Sequence, residues 1–236
     1  MTPRGAGPGL DGDAFRNRAS KKIEPGTTLK LGAGFHEIDG NAFYMTDFPE
    51  DFTIEGAGMD ATVIRLTRVI HTLGGVQRCR FRDLTIDCNN NEILDIRKGG
   101  LVVDLDRVRV VRFDSGAGGS NFLSSSAGAI IRSRRCEFTG GFGHGPRHGS
   151  LHDIRSPALL TMLDCRFELI DPNLTRLYDR SSAHFAGCIF ARQLRDPREN
   201  AARARFVNCT FEPLLTREET SALATRPLSD LFPWLR

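Results

Sequence analysis

The chain has 236 residues, 26% of them charged and 40% hydrophobic, with a net charge of +3. That length suits one sizeable core or one solenoid, the composition excludes a disordered chain, and no run approaches the roughly eighteen uninterrupted apolar residues of a membrane-spanning helix. A charge of +3 is too small to argue for nucleic acid.

The basic residues are unevenly chosen, since of 32 only Lys21, Lys22, Lys30 and Lys98 are lysine. Arginine presents a planar fork that pairs with carboxylates and sulfates, so an acidic partner is one reading. An arginine-biased composition with structural ion pairs is the other.

At the N-terminus, a Gly/Pro stretch from Pro3 to Gly12 reads as flexible, and Asp13 to Lys22 as a short helix that could cap the first turn; residues 1–22 are set apart on this basis. The opening lacks the apolar segment of a secretory signal. The expectation is therefore a cytoplasmic protein, or an extracellular or cell-envelope one whose signal or preceding domain has been removed. Leu29 to Ile38, with Gly32 and Gly34 inside it, reads as an opening strand with a glycine turn, and Ile54 to Ile64 comes next with two further glycines.

From there a pattern recurs: apolar, any, polar or small, Cys, any, Phe. It appears at Met162-Leu163-Asp164-Cys165-Arg166-Phe167, at Phe185-Ala186-Gly187-Cys188-Ile189-Phe190, at Val207-Asn208-Cys209-Thr210-Phe211 and at Arg135-Cys136-Glu137-Phe138. Earlier copies, Asp83-Leu84-Thr85-Ile86 and Arg107-Val108-Arg109-Val110, put another small apolar residue in place of Cys. The marks fall at 84, 108, 136, 165, 188 and 209, spaced 24, 28, 29, 23 and 21 residues apart. Each copy alternates apolar and polar residues, as a strand with one buried face does. The connections cannot each hold a crossover helix, so the strands coil, and equivalent residues of successive turns stack about 4.8 Å apart.

The expected fold is all-β: a single-stranded right-handed parallel β-helix over residues 23–215, with short helical or irregular caps. Cys136, Cys165, Cys188 and Cys209 should form one internal column, and Phe138, Phe167, Phe190 and Phe211 a second. No CxxC pair occurs, so the cysteines are expected to be free thiols, five as core fillers and Cys88 in a turn. Residues 216–236 read as a C-terminal cap: Thr216-Arg217-Glu218-Glu219 is a capping-box signature, and the apolar Leu231 to Leu235 a lid.

The segment Ile54-x-Gly56-x-Gly58-x3-Thr62-x-Ile64, after such an opening strand, resembles the first turns of the pectin-lyase-like superfamily. That group includes pectate lyases, polygalacturonases, pectin methylesterases, alginate epimerases and phage tailspikes. The resemblance implies an enzyme or binder of acidic polysaccharides that uses the outer face of a parallel sheet. Gly143-His144-Gly145 matches the histidine motif of polygalacturonases, but the Asn-Thr-Asp, Asp-Asp and Arg-Ile-Lys partners are absent, as are the paired aspartates of the methylesterases.

If Cys and Phe point inward, the residues between them point out. The outward columns are then Asp83, Arg107, Arg135, Asp164, Gly187 and Asn208; Thr85, Arg109, Glu137, Arg166, Ile189 and Thr210; and Asp87, Val111, Thr139, Glu168, Ala191 and Glu212. Arg109, Glu137 and Arg166 become neighbours. As a polysaccharide groove, this surface offers Arg109 and Arg166 to clamp a uronate carboxylate, and Asp87, Glu137 or Asp164 to hold calcium or move a proton. Asp83, Arg107 and Arg135 would contact substrate. Elimination is preferred over two-carboxylate hydrolysis because arginine dominates the face. The alternative is a solvated ladder of ion pairs on a non-catalytic structural or adhesion module that binds a glycan or protein.

A second candidate, Thr139 to Pro157, carries His144, Arg147, His148, His152 and Asp153, as a substrate-contacting loop, a metal site or an ordered surface loop. Its glycines argue against a helix. The Gly/Ser-rich stretch Asp114 to Gly128 reads as a flexible excursion between turns.

Overall fold

A computed structural model describes residues 24–40, 49–68, 70–71, 76–89, 94–96, 100–113, 121–125, 128–140, 150–154, 158–168, 176–177, 181–193, 196–199, 202–227 and 230. The strands stack in parallel on three faces. The first face carries β1 (Thr27–Lys30), β3 (Asp51–Glu55), the first half of β6 (Arg78–Asp87), the first half of β8 (Leu101–Phe113), β10 (Ala129–Arg134), β13 (Ala158–Leu163), β16 (Ser182–Ala186) and β18 (Ala204–Val207). The second carries β2 (Gly34–Ile38), β4 (Thr62–Leu66), the second halves of β6 and β8, β11 (Glu137–Gly140), β14 (Arg166–Glu168), β17 (Ile189–Ala191) and β19 (Thr210–Phe211). The third carries β5 (Ile70–His71), β7 (Leu94–Ile96), β9 (Asn121–Ser125), β12 (Ser150–Ile154) and β15 (Arg176–Leu177). The chain is a parallel β-solenoid.

From β6 onward the corner between the first two faces is made by one residue per turn, whereas residues 31–33 and 56–61 fill it in the two turns before. Asp83, Arg107, Arg135, Asp164 and Asn208 have φ between 51° and 53°, and Gly187 has φ 63°. This left-handed conformation reverses the pleat at one residue, so the strand turns while backbone pairing continues: Arg135 N–H donates to the Leu163 carbonyl at 2.9 Å, Asp164 N–H to Ala186 at 2.9 Å and Gly187 N–H to Val207 at 3.0 Å.

One residue on, the chain re-enters the core. Leu84, Val108, Cys136, Cys165 and Cys188 are all fully buried, with Cys209 half-buried at the last turn. Thiols suit this position because each faces corner carbonyls. Cys165 Sγ donates to Leu163 O at 3.2 Å and to Ser133 O of the preceding turn at 3.6 Å, and Cys188 repeats this with Ala186 O and Met162 O at 3.5 and 3.4 Å. All six cysteines are free. Cys88, expected in a turn, stands just past β6 beside the left-handed Asn89 and is also buried in the core, where burial pushes its thiol pKa up.

Two further residues on lies the phenylalanine column. Phe138, Phe167, Phe190 and Phe211 stack with ring centroids 5.1, 4.9 and 5.2 Å apart, interplanar angles between 5° and 11°. A second stack, Phe185 on Phe206, meets the first edge-on, as in the 5.5 Å contact of Phe185 with Phe190. The rings therefore lock the first face to the second with both geometries that aromatic quadrupoles favour.

The Ile54–Ile64 motif has a mechanical explanation. A Cβ on Gly56 would overlap the Asp83 carbonyl and lie 2.8 Å from the Cβ atoms of Leu84 and Thr62, while Gly58 has φ 141°. Thr62 Oγ1 accepts from Ala57 N–H at 2.9 Å and donates to Gly32 O at 3.0 Å, so the first two turns are tied at one buried hydroxyl.

The capping box also forms: Thr216 caps the helix Arg217–Ala224, accepting from Glu219 N–H while Glu219 accepts from Thr216 N–H. Residues 1–22 and Leu231–Leu235 lie outside the described residues. No helix among the described residues is long and apolar enough to cross a membrane. Two expected loops contain strands: Asn121–Ser125, within the Gly/Ser-rich stretch, and Ser150–Ile154, within the histidine segment, pair with each other on the third face.

Gly56→Ala should lower stability by about 3 kcal/mol, because the added methyl meets backbone that cannot withdraw. The urea midpoint measures it, and an unchanged midpoint would contradict the close packing seen at this turn.

Candidate functional site

The second face carries the expected charged column. Arg109, Glu137 and Arg166 are register partners on β8, β11 and β14, followed by Ile189 and Thr210. Arg109 lies between two carboxylates, its Nε 2.6 Å from Glu137 Oε2 and its Nη1 2.6 Å from Asp60 Oδ1. Burial opposes its charge, but these hydrogen bonds outweigh burial and hold the Arg109 pKa above its ordinary value. Arg166 donates to Glu212 at 3.4 Å and lies 3.9 Å from Glu168. Thr85, expected outside, is fully buried because the loop after Gly56 folds over it, and its hydroxyl donates to Met59 O at 2.6 Å.

Asp87, expected on the outer surface, is fully buried, as are Val111 and Ala191 of the same column. The reason is a second corner. Asn89 and Arg112 have φ 52° and 53°, and Arg192 has φ 49°, so the ribbon turns again at the end of the second face and alternation from the cysteine mark stops predicting exposure. Asp87 accepts from Arg112 Nε and Nη2 at 2.7 and 2.6 Å, from Arg65 Nε at 3.2 Å and from Asn89 N–H at 3.1 Å. Two arginines and a backbone amide thus saturate this carboxylate inside the protein.

Asp83 and Arg107 sit on the first corner inside β6 and β8, and Arg135 and Asp164 sit on the same corner between strands. Arg107 Nη2 donates to Asp83 at 2.6 Å and Nη1 to Asp106 at 3.2 Å; the Asp83 hydrogen bond raises the Arg107 pKa further. Arg135 donates to Asp106 at 3.0 Å. The Asp164 carboxylate has no hydrogen-bond or ion-pair partner among the described residues. His144, Arg147 and His148 lie outside the described residues. The backbone of His152 is in β12, opposite Leu123 of β9.

A richer surface lies on the first face, upstream of each cysteine mark. Rows of alternate residues there read Arg78, Arg80, Arg82 on β6; Val102, Asp104, Asp106 on β8; Ile130, Arg132, Arg134 on β10; and Leu159, Thr161, Leu163 on β13, all in register. The arginines and aspartates of these rows, with Thr161 and Leu163, line an open cleft of about 310 Å³. Two carboxylates in the middle row hold arginines from the rows on either side. Asp104 accepts from Arg78 at 2.6 and 2.8 Å and lies 3.8 Å from Arg132, while Asp106 accepts from Arg134 at 2.9 Å. Burial would raise the Asp106 pKa, but the hydrogen bonds from Arg134 and Arg135 prevail and hold it low. Arg82 is exposed and has no carboxylate partner among the described residues. Asp51 of β3 accepts from Arg80 at 2.6 and 3.2 Å, so five guanidiniums meet three carboxylates and the cleft stays cationic. Among the described residues, no three His, Cys, Asp or Glu side chains are grouped to hold a metal ion.

No family model, curated protein or solved structure matches the chain.

Asp87→Asn leaves Arg112, whose side chain is 5% exposed, without its counter-charge, and should cost about 3–5 kcal/mol. Thermal unfolding measures it. A melting temperature equal to that of the unmodified chain would show that the buried pair contributes nothing.

Proposed function

We propose that this chain is a pectin-lyase-like β-helix that binds an acidic polysaccharide, with the arginine cleft of the first face as its contact surface. The cleft carries this reading: guanidiniums project from rows two rungs apart, held upright by the aspartates between them, and Arg82 has a fork to offer. Forks of this kind recognise carboxylates and sulfates with two parallel hydrogen bonds. Fixing the arginines beforehand removes part of the entropy cost of ligand binding. The Ile54-x-Gly56-x-Gly58-x3-Thr62-x-Ile64 turn, with its close-packed glycine, supports the superfamily assignment.

Binding is favoured over elimination. A guanidinium that abstracts a proton must first lose its own, and Glu137 and Asp60 hold Arg109 in the charged form. Asp87 is buried beneath the surface and Arg166 is shared between two glutamates. This arrangement fits a glycan-binding or adhesion module better than a lyase.

Calorimetric titration with polygalacturonate, alginate and a neutral glucan checks the proposal. Both polyanions should bind at low ionic strength and weaken as salt is added. Arg82→Ala combined with Arg132→Ala should lower affinity roughly tenfold. Failure of both polyanions to bind, or equal affinity of the double variant, would refute the cleft. New double-bond absorbance during incubation would restore the lyase reading.

A further inference from the structure

The cleft ends at β13, but one of its columns does not. Arg80, Asp104, Arg132, Thr161, His184 and Arg205 are successive register partners across six rungs, from β6 to β18. Beyond Arg132 the column holds no carboxylate. His184 is half-buried, and its Nε2 is fully buried without a hydrogen-bond partner among the described residues. On one side of it β13 presents Leu159, Thr161 and Leu163, none of them titratable; on the other stand Arg205 and Val207 of β18, with the exposed Arg203 just before them; its own strand adds Ser182 and Ala186. Arg205 is exposed and has no ion-pair partner among the described residues. A proton on His184 therefore places a second cation one rung, about 4.8 Å, from Arg205, with no protein carboxylate in the column to neutralise either.

We propose that Thr161, His184 and Arg205 form a second anion subsite that continues the cleft along the solenoid, and that anions bind there together with a proton on His184. This inference rests on the polyanion reading of the cleft and adds to it a regulation by pH. Imidazole changes charge between about pH 5 and pH 8, whereas guanidinium does not. The bound anion supplies the counter-charge that the column lacks, so by linkage a bound chain favours the protonated ring, and protonation favours the bound chain. Affinity rises as pH falls.

Dextran sulfate, whose charge is constant over this range, is the probe. Calorimetry at about pH 5.5 and about pH 8, in two buffers of different ionisation enthalpy, gives both the affinity and the protons taken up. Wild-type affinity should be roughly five times higher at the lower pH, with net proton uptake on binding near neutrality. In His184→Gln the ratio of the two affinities should fall to about one, and Arg205→Ala should weaken binding at both pH values. Binding of the unmodified chain without pH dependence or proton uptake would overturn the subsite while leaving the cleft intact, as would the same pH slope in His184→Gln. Absence of binding at both pH values would remove the polyanion reading and this inference together.

Discussion

The columns of this molecule depend on parallel backbone pairing that continues, without loss of register, through a left-handed residue at the same corner of each turn from β6 onward. For a residue with a side chain that conformation costs roughly 1–2 kcal/mol, and five of the six marked corners are not glycine. Asp and Asn tolerate it comparatively well; Arg107 and Arg135 do not share that advantage. They are held there by ladder hydrogen bonds on both sides of the corner and by contacts of their guanidiniums with Asp83 and Asp106. The thiols complete the arrangement, since a small weak donor just inside the corner meets the carbonyl oxygens that converge there.

Fixed register turns composition into surface. Inside, like residues stack on like, and the phenylalanine columns gain both parallel and edge-on contacts. Outside, the same rule would be ruinous for charge, because identical charged rows about 4.8 Å apart repel. The chain solves this by alternation: Arg82, Asp106 and Arg134 succeed one another, as do Arg109, Glu137 and Arg166. An alternating column with an odd number of members, or one end without a partner, carries a net charge. The first face is cationic for that reason.

The parts of this structure that the sequence discloses are those with a strict period. The Cys and Phe marks sit at invariant offsets from the corner, so the internal columns and the order Arg109, Glu137, Arg166 are directly legible. Exposure three residues past the mark is not, because Asp87 stands next to a second corner whose place varies with each turn. The arginine cleft is hidden for a different reason. Its residues precede the mark by two and four positions (82 and 80, 106 and 104, 134 and 132), and outward columns counted from the corner onward miss them. The signal is present in Arg78-x-Arg80-x-Arg82, Asp104-x-Asp106 and Arg132-x-Arg134. His184 occupies the same offset from Cys188, so the longer column emerges once the corner is recognised as a single residue.

The claim that equivalent residues of successive turns lie in register is open to a direct distance measurement. Spin labels at positions 132 and 205, joined through Thr161 and His184 by three steps of the ladder, should lie with Cα atoms about 14 Å apart at 4.8 Å per rung. Double electron–electron resonance, corrected for label length, should give one narrow distribution near that value. A broad distribution, or a mean beyond about 25 Å, would show that the turns do not stack in register and would remove the columns, the cleft and the subsite together.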